Sequence, residues 1–161
     1  MAPVPTRLTC SVVIHAPIDR VFHFHDDTKN LIKITPPSIK ISFESFGPPG
    51  LGYEVKLKVV QFGFIPMYWH VRITDYVQNV RMVDEQLSGP FTMWKQRRDF
   101  TKVNGGTMLT DTVEYAVPFG PLGRIVDRLF VRKQIHSMFA YRQARTKALL
   151  EDSTELISPI S

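Results

Sequence analysis

Residues Gly89–Arg132 read GPFTMWKQRRDFTKVNGGTMLTDTVEYAVPFGPLGRIVDRLFVR. The stretch divides into two long strands, a glycine turn, and a glycine- and proline-punctuated start to a long helix. Alternation puts Trp94, Gln96, Arg98 and Phe100 on one strand face, and Leu109, Asp111, Val113 and Tyr115 on one face of the next. With Val103–Gly106 as the turn, Phe100 falls opposite Leu109, Arg98 opposite Asp111, Gln96 opposite Val113 and Trp94 opposite Tyr115. Directly opposed side chains lie about 4.5–5.5 Å apart at Cβ, so Arg98 and Asp111 are within pairing reach. Charges set among aromatics on an inward face describe a pocket with polar fittings better than a plain core.

Upstream, Gln78-Asn79 has the composition of a two-residue hairpin turn. Such a turn places Ile73 opposite Asp84 and Val71 opposite Gln86, with Asp84 and Gln86 on the face of Trp69. The expected result is a polar line of Asp84, Gln86, Gln96, Arg98 and Asp111 across an apolar concave surface. Everything depends on register, because a slip of one residue inverts every face. An ion pair in that position need not add stability, since desolvation offsets the attraction. Orienting the oxygen atoms of a ligand, or holding the sheet around a water-filled cavity, is the better use for it.

The remaining segments supply the frame. Arg7 to Ile14 alternates as a first strand. Ala16-Pro17-Ile18-Asp19 opens a helix through Ile18, Val21, Phe22 and His25, and a second short helix is expected over Leu31, Ile32 and Ile34 before Pro36-Pro37 ends it. From Ser38 the period becomes two, with Ile39, Ile41 and Phe43 on one face. Tyr53, Val55, Leu57 and Val59 follow, then Met67, Trp69, Val71 and Ile73. Strands over Val80–Leu87, Phe91–Val103 and Thr107–Val117 complete an antiparallel meander, with the first strand available as its seventh member. Leu122, Ile125, Val126, Leu129 and Phe130 form an apolar helical face, continued with a phase shift by Ile135, Met138 and Phe139 toward about Leu150. The layout is an α+β domain with its helices on one side of a curved antiparallel sheet, which leaves room for a ligand between the layers.

The 161 residues are enough for one domain with a substantial core. That domain is expected over residues 1–151, with a flexible tail over 152–161 where Ser, Pro and acidic residues replace periodic apolar ones. Cys10 is the single cysteine, which excludes an intrachain disulfide and a cysteine-based metal cluster, and its apolar surroundings predict a buried, inert thiol. No signal-like or membrane-spanning apolar run is present, so a cytoplasmic location is expected. Net charge is +5 and the pI is near 9.5. Arg124, Arg128, Arg132, Lys133, Arg142, Arg145 and Lys147 all fall on the long helix, where a solvated face is the simplest reading and docking on an anionic membrane the sharper one. No nucleic-acid motif accompanies them, so no nucleic-acid partner is expected. His15, His23, His25, His70 and His136 show no zinc spacing, and nucleophile elbows, P-loops and dinucleotide fingerprints are absent, which predicts neither metal nor cofactor.

Several motifs then converge. The first strand with Ala16-Pro17-Ile18-Asp19-Arg20-Val21-Phe22, the segment Leu31 to Pro37, and Asp84-x-Gln86-x-x-Gly89-Pro90-Phe91-x-x-Trp94 are joined by Gly106-Thr107-x-x-x-Asp111-x-Val113-x-Tyr115 and Pro118-x-Gly120-Pro121-Leu122-Gly123. Together they resemble the SRPBCC (START/Bet v 1-like) superfamily, in its polyketide cyclase/dehydrase-like bacterial branch, over about residues 7–150. The resemblance implies a helix-grip fold, with a seven-stranded antiparallel sheet wrapped around a long C-terminal helix and two short helices after the first strand. It also implies a deep, mainly hydrophobic cavity that holds lipids, sterols or polyketides and in some members supports cyclisation or dehydration. This branch commonly has histidine where the chain has Gln96 and Arg98, a departure that removes the obvious imidazole base.

Three readings follow. In the first, the chain binds a small, mainly hydrophobic ligand. Trp69, Trp94, Phe100, Tyr115, Phe130 and Phe139 serve as walls, and Gln86, Gln96, Arg98 and Asp111 as polar fittings. In the second it is a cyclase or dehydratase, with Asp84 or Asp111 carrying a proton and Tyr115 or Arg98 polarising a carbonyl. In the third it handles lipid at an anionic membrane, docking through the basic helix.

Overall fold

A computed structural model of the chain describes residues 3–155 apart from Phe62. β1 (Thr6–Ile14) is followed by the short helices α1 (Ile18–Asp26) and α2 (Asn30–Lys33). Six strands come next: β2 (Lys40–Phe46), β3 (Glu54–Gln61), β4 (Ile65–Val77), β5 (Arg81–Ser88), β6 (Met93–Val103) and β7 (Gly106–Ala116). A long helical segment then runs as α3 (Gly120–Val126), a π-helical turn (Asp127–Val131) and α4 (Arg132–Glu155). The strands form one antiparallel sheet in the order β1-β7-β6-β5-β4-β3-β2. This is the helix-grip arrangement, and α4 continues past the Asp152 at which a tail was expected. Residues 156–161 of that tail, with Met1 and Ala2, lie outside the described residues.

The alternation that defines the strands also sets the register. β6 and β7 pair with Arg98 opposite Asp111, Gln96 opposite Val113 and Trp94 opposite Tyr115, as the turn at Asn104-Gly105 requires. The β4–β5 turn is one residue longer than expected, since Val77 pairs with Arg81 and Asn79 takes a positive φ of 60°. A bulge between Ile73 and Asp75 absorbs the extra residue. Ile73 therefore still faces Asp84, and Val71 still faces Gln86.

The phase shift in the helix has a physical cause. A π-helical turn adds one residue to a turn and so rotates everything after it by about 100°. Beyond it, Ile135, Phe139 and Leu150 are buried. Before it Leu122 and Ile125, and within it Leu129 and Phe130, are each more than half exposed, so the first apolar face is not a core face. Asp127 takes the inward position instead. Its carboxylate accepts hydrogen bonds from Tyr115 Oη at 2.5 Å, Thr6 Oγ1 at 2.9 Å and Arg132 Nη2 at 3.3 Å. Gly123 lets α3 approach the end of β7, because a Cβ there would sit 2.0 Å from the Pro118 carbonyl oxygen.

α4 lies along the β1–β7 side of the sheet. Gln143 Nε2 donates to the Cys10 carbonyl and Lys147 Nζ to that of Val13, both at 2.8 Å. Phe22, Phe100, Leu109 and Leu150 close one end of the core, and Trp94, Val113, Tyr115 and Phe139 the other. The apolar cluster of β2, β3 and β4, built on Val55, Leu57 and Val59, contains no helix residue. Half of the sheet is thus covered by α4 and half stands away from it. Cys10 is half-buried, and burial followed by the nearby Asp111 charge raises its thiol pKa, so it stays protonated.

Candidate functional site

The space under the uncovered half of the sheet is a cavity of about 480 Å³. Val55, Leu57, Met67, Trp69, Trp94 and Met138 supply apolar wall. His25, Asp84, Gln96, Arg98 and Arg142 form a polar end. Phe119, Leu122 and Val126 line the cavity yet are strongly exposed, which makes them its rim. Two hydrogen bonds tie β3 to the helical layer, Tyr53 to Thr28 at one end and Gln61 to Gln134 at the other.

Asp111 organises the polar end from behind. Arg98 Nε lies 3.3 Å from its Oδ1, Gln96 Nε2 donates to the same oxygen at 3.2 Å, and Gln143 Nε2 donates to Oδ2 at 2.9 Å. Three donors and one full positive charge allow a carboxylate to sit at 5% exposure.

The groups facing the cavity are less satisfied. Asp84 has no hydrogen-bond partner among the described residues, and burial pushes its pKa up to about 6 against the pull of Arg98 and Arg142. Burial, then Arg98, lowers His25 to about 4, so its ring is neutral. Its Nδ1 lies 2.8 Å from the Val21 carbonyl and must carry the proton, which leaves Nε2 as an acceptor. Arg142 Nε is buried without a partner, and burial followed by Arg98 lowers the guanidinium pKa to about 10. The polar end thus offers two guanidinium donors, one imidazole acceptor and one carboxyl group able to exchange a proton near pH 6. Among the described residues, no three His, Cys, Asp or Glu side chains converge as a metal site.

The aromatic wall is held by a clamp. Trp69 Nε1 donates to Gln86 Oε1 at 2.8 Å, and Gln86 Nε2 donates to the Phe91 carbonyl at 2.7 Å. Phe91 stacks on Trp69, with ring centroids 5.6 Å apart. Gly89 makes the clamp feasible, because a Cβ there would lie 2.4 Å from Gln86 Oε1 and 2.6 Å from Trp69 Cδ1.

Of the residues singled out from sequence, Trp69, Asp84, Trp94, Gln96 and Arg98 line the cavity. Gln86 stands behind Trp69, and Asp111 behind Gln96 and Arg98. Phe100 is in the core against Phe22, and Phe139 stacks on Trp94. Tyr115 is fully buried with its hydroxyl on Asp127; burial and that hydrogen bond raise its pKa, so it is neither wall nor acid. Phe130 is 67% exposed and is corrected outright, because the π-helical turn points it to solvent.

Arg142, assigned from sequence to a solvated helix face, is corrected to the cavity. Its signal was its spacing, three residues after Phe139 and four after Met138 on the buried side of α4. His25, which shows no zinc spacing in the sequence, belongs to the cavity lining. Its place at the end of α1, within 5.7 Å of the Phe100 ring, brings it inside.

No family model and no curated protein matches the chain. Solved structures do. Protein CV1439 from Chromobacterium violaceum superposes with a TM-score of 0.72 at 14% identity, over 90% of this chain and 96% of that one. The di-domain ARO/CYC StfQ from the steffimycin biosynthetic pathway gives 0.75 at 12% identity, over 94% of this chain and 52% of that one. Ara h 8.0201 gives 0.64 at 16% identity, over 89% and 98%. At these identities the likeness is one of fold alone, and that fold is the helix grip.

Proposed function

We propose that the chain binds a small, mainly hydrophobic ligand whose one end carries oxygen, as a carbonyl, hydroxyl or carboxylate group. The carrying observation is the cavity itself: mainly apolar walls with one charged cluster, at which Asp84 and Arg142 Nε lack hydrogen-bond partners among the described residues. A buried donor without a partner costs about 1–3 kcal/mol, which a ligand oxygen would recover. Trp69 and Trp94 would pack on the apolar body, while Arg98 and Arg142 meet the oxygen. StfQ, named for a biosynthetic pathway, shares the fold and supports a ligand of this general kind.

The test is binding of decanoic acid, decanol and decane by native mass spectrometry and thermal shift. Decanoic acid and decanol should bind saturably and decane at least tenfold more weakly. Trp94→Ala should weaken both polar-ended ligands, and Arg142→Met should reduce the preference over decane. Saturable binding unchanged by Trp94→Ala, Arg98→Ala and Arg142→Met would remove the ligand from this cavity.

A second reading is favoured by one observation, the Asp84 carboxyl with its pKa near 6 facing the same space as the neutral His25 ring. A group that titrates close to neutrality is suited to move a proton in a dehydration or cyclisation. Turnover of polyketide-like substrates by the native chain, abolished in Asp84→Asn, would establish it. Equal turnover in the two would dismiss Asp84 as the proton carrier.

A further inference from the structure

Phe119, Leu122, Ile125, Leu129 and Phe130 are 57–81% exposed, and they cluster on α3 and the π-helical turn at the cavity rim. Contiguous apolar surface of this kind marks an interaction site more often than chance. Arg124 and Arg128 run beside the stripe one turn apart, with Lys133 beyond them, all three exposed. None of the three is in an ion pair among the described residues. The only acidic residue between Phe119 and Leu150 is Asp127, and it is buried and neutralised by Arg132. Apolar residues on one stripe and unpaired cations on the next are the pattern of a helix that lies in a membrane interface.

We propose that this segment docks the rim of the cavity on an anionic membrane surface. The apolar side chains enter the boundary between headgroups and acyl chains, and Arg124, Arg128 and Lys133 meet lipid phosphates. Charge decides between a bilayer and a second copy of the chain. A twofold interface places the same patch on both partners, which would set these cations against themselves with no free carboxylate between them. An anionic surface attracts all of them. The proposal rests on the exposed face, and neither Leu129 nor Phe130 lines the cavity, so it stands or falls apart from the ligand reading.

The experiment is flotation of the protein with phosphatidylcholine vesicles, with and without phosphatidylglycerol, at low and high salt. Binding should need phosphatidylglycerol and should fall with salt as the cations are screened. Arg124→Gln with Arg128→Gln should weaken it roughly 30-fold, at about a factor of five for each basic residue. Leu129→Ser with Phe130→Ser should weaken it at least tenfold while decanoic acid binding and the circular dichroism spectrum stay unchanged. Absence of vesicle binding, or binding indifferent to phosphatidylglycerol and salt, would overturn the proposal. So would a native dimer that becomes monomeric in the Leu129→Ser, Phe130→Ser variant, because the face would then belong to a second copy.

Discussion

Arg98 Nε stands 3.3 Å from Asp111 Oδ1 across the β6–β7 ladder, with side-chain exposures of 16% and 6%. Asp111 also holds Gln96 and Gln143, so three side chains depend on one carboxylate. Asp111→Ala would strand a guanidinium in a poorly solvated place, deprive the Gln96 amide of its acceptor and leave Gln143 Nε2 with the Cys10 carbonyl alone. The expected loss is about 3–5 kcal/mol in urea unfolding, with a smaller loss for Asp111→Asn. An unchanged midpoint in Asp111→Ala would mean that the cluster does not hold the sheet.

Asp84 and His25 should give opposing pH dependences. Asp84 titrates near 6 in the folded chain against an ordinary 3.8, so between these values the folded state binds more protons than the unfolded one. Its contribution to stability therefore falls as pH rises through that window. His25 titrates near 4 against 6.5, so the unfolded state binds more protons and stability rises with pH between about 4 and 6.5. The native chain should be nearly flat there with respect to this pair. Asp84→Asn should reveal a rising slope and His25→Gln a falling one, each at most about 1.4 kcal/mol per pH unit. Thermal midpoints measured across pH 4–7 read the sign directly, and identical profiles in the two variants would contradict the placement.

Gly89→Ala should push Trp69 and Gln86 apart, since the added methyl has no space between them. Overpacking of this kind costs about 1–3 kcal/mol. A shift in tryptophan fluorescence should accompany it, because Trp69 loses its hydrogen bond to Gln86. Native stability and an unaltered spectrum would show that the clamp yields without effect.

Asp127 and Phe130 sit three residues apart on the π-helical turn with opposite consequences. Asp127→Ala leaves the buried Tyr115 hydroxyl without its acceptor and should cost about 1–3 kcal/mol. Phe130→Ser, at 67% exposure, should change stability by no more than about 0.5 kcal/mol. Denaturant midpoints of the two variants provide the comparison, and a large loss at Phe130 would place it in the core after all.

Local rules carried much of this arrangement. Alternation and the Asn104-Gly105 turn specify the β6–β7 register residue by residue, because a sheet has a period of two and a short turn leaves little freedom. Asp84 was placed correctly despite a turn of the wrong length. The Ile73–Asp75 bulge restored the register, since burial of the Val71 and Ile73 face outweighs the geometry of an exposed turn. The cavity residues Trp69, Trp94, Gln96 and Arg98 follow from the same alternation.

Which positions on the inward face meet helix and which meet empty space was not legible, because both are apolar and both alternate. Phe100 and Tyr115 lie under α1, α4 and the π-helical turn, whereas Trp69 and Val55 face the cavity, and only the path of α4 along the β1–β7 side separates them. The π-helical turn settled the rest. By rotating the helix after Val131 it turned Arg142 inward to the polar end and left Leu129 and Phe130 facing out. Residue order and side-chain period were enough for the meander from β2 to β7, the β6–β7 register and the Arg98–Asp111 pair, because those are contacts across one turn, whereas β1 meets β7 from the other end of the chain. The depth of the cavity, the raised pKa of Asp84 and the exposed rim needed the assembled layers, because desolvation and packing depend on what arrives from the other end of the sequence.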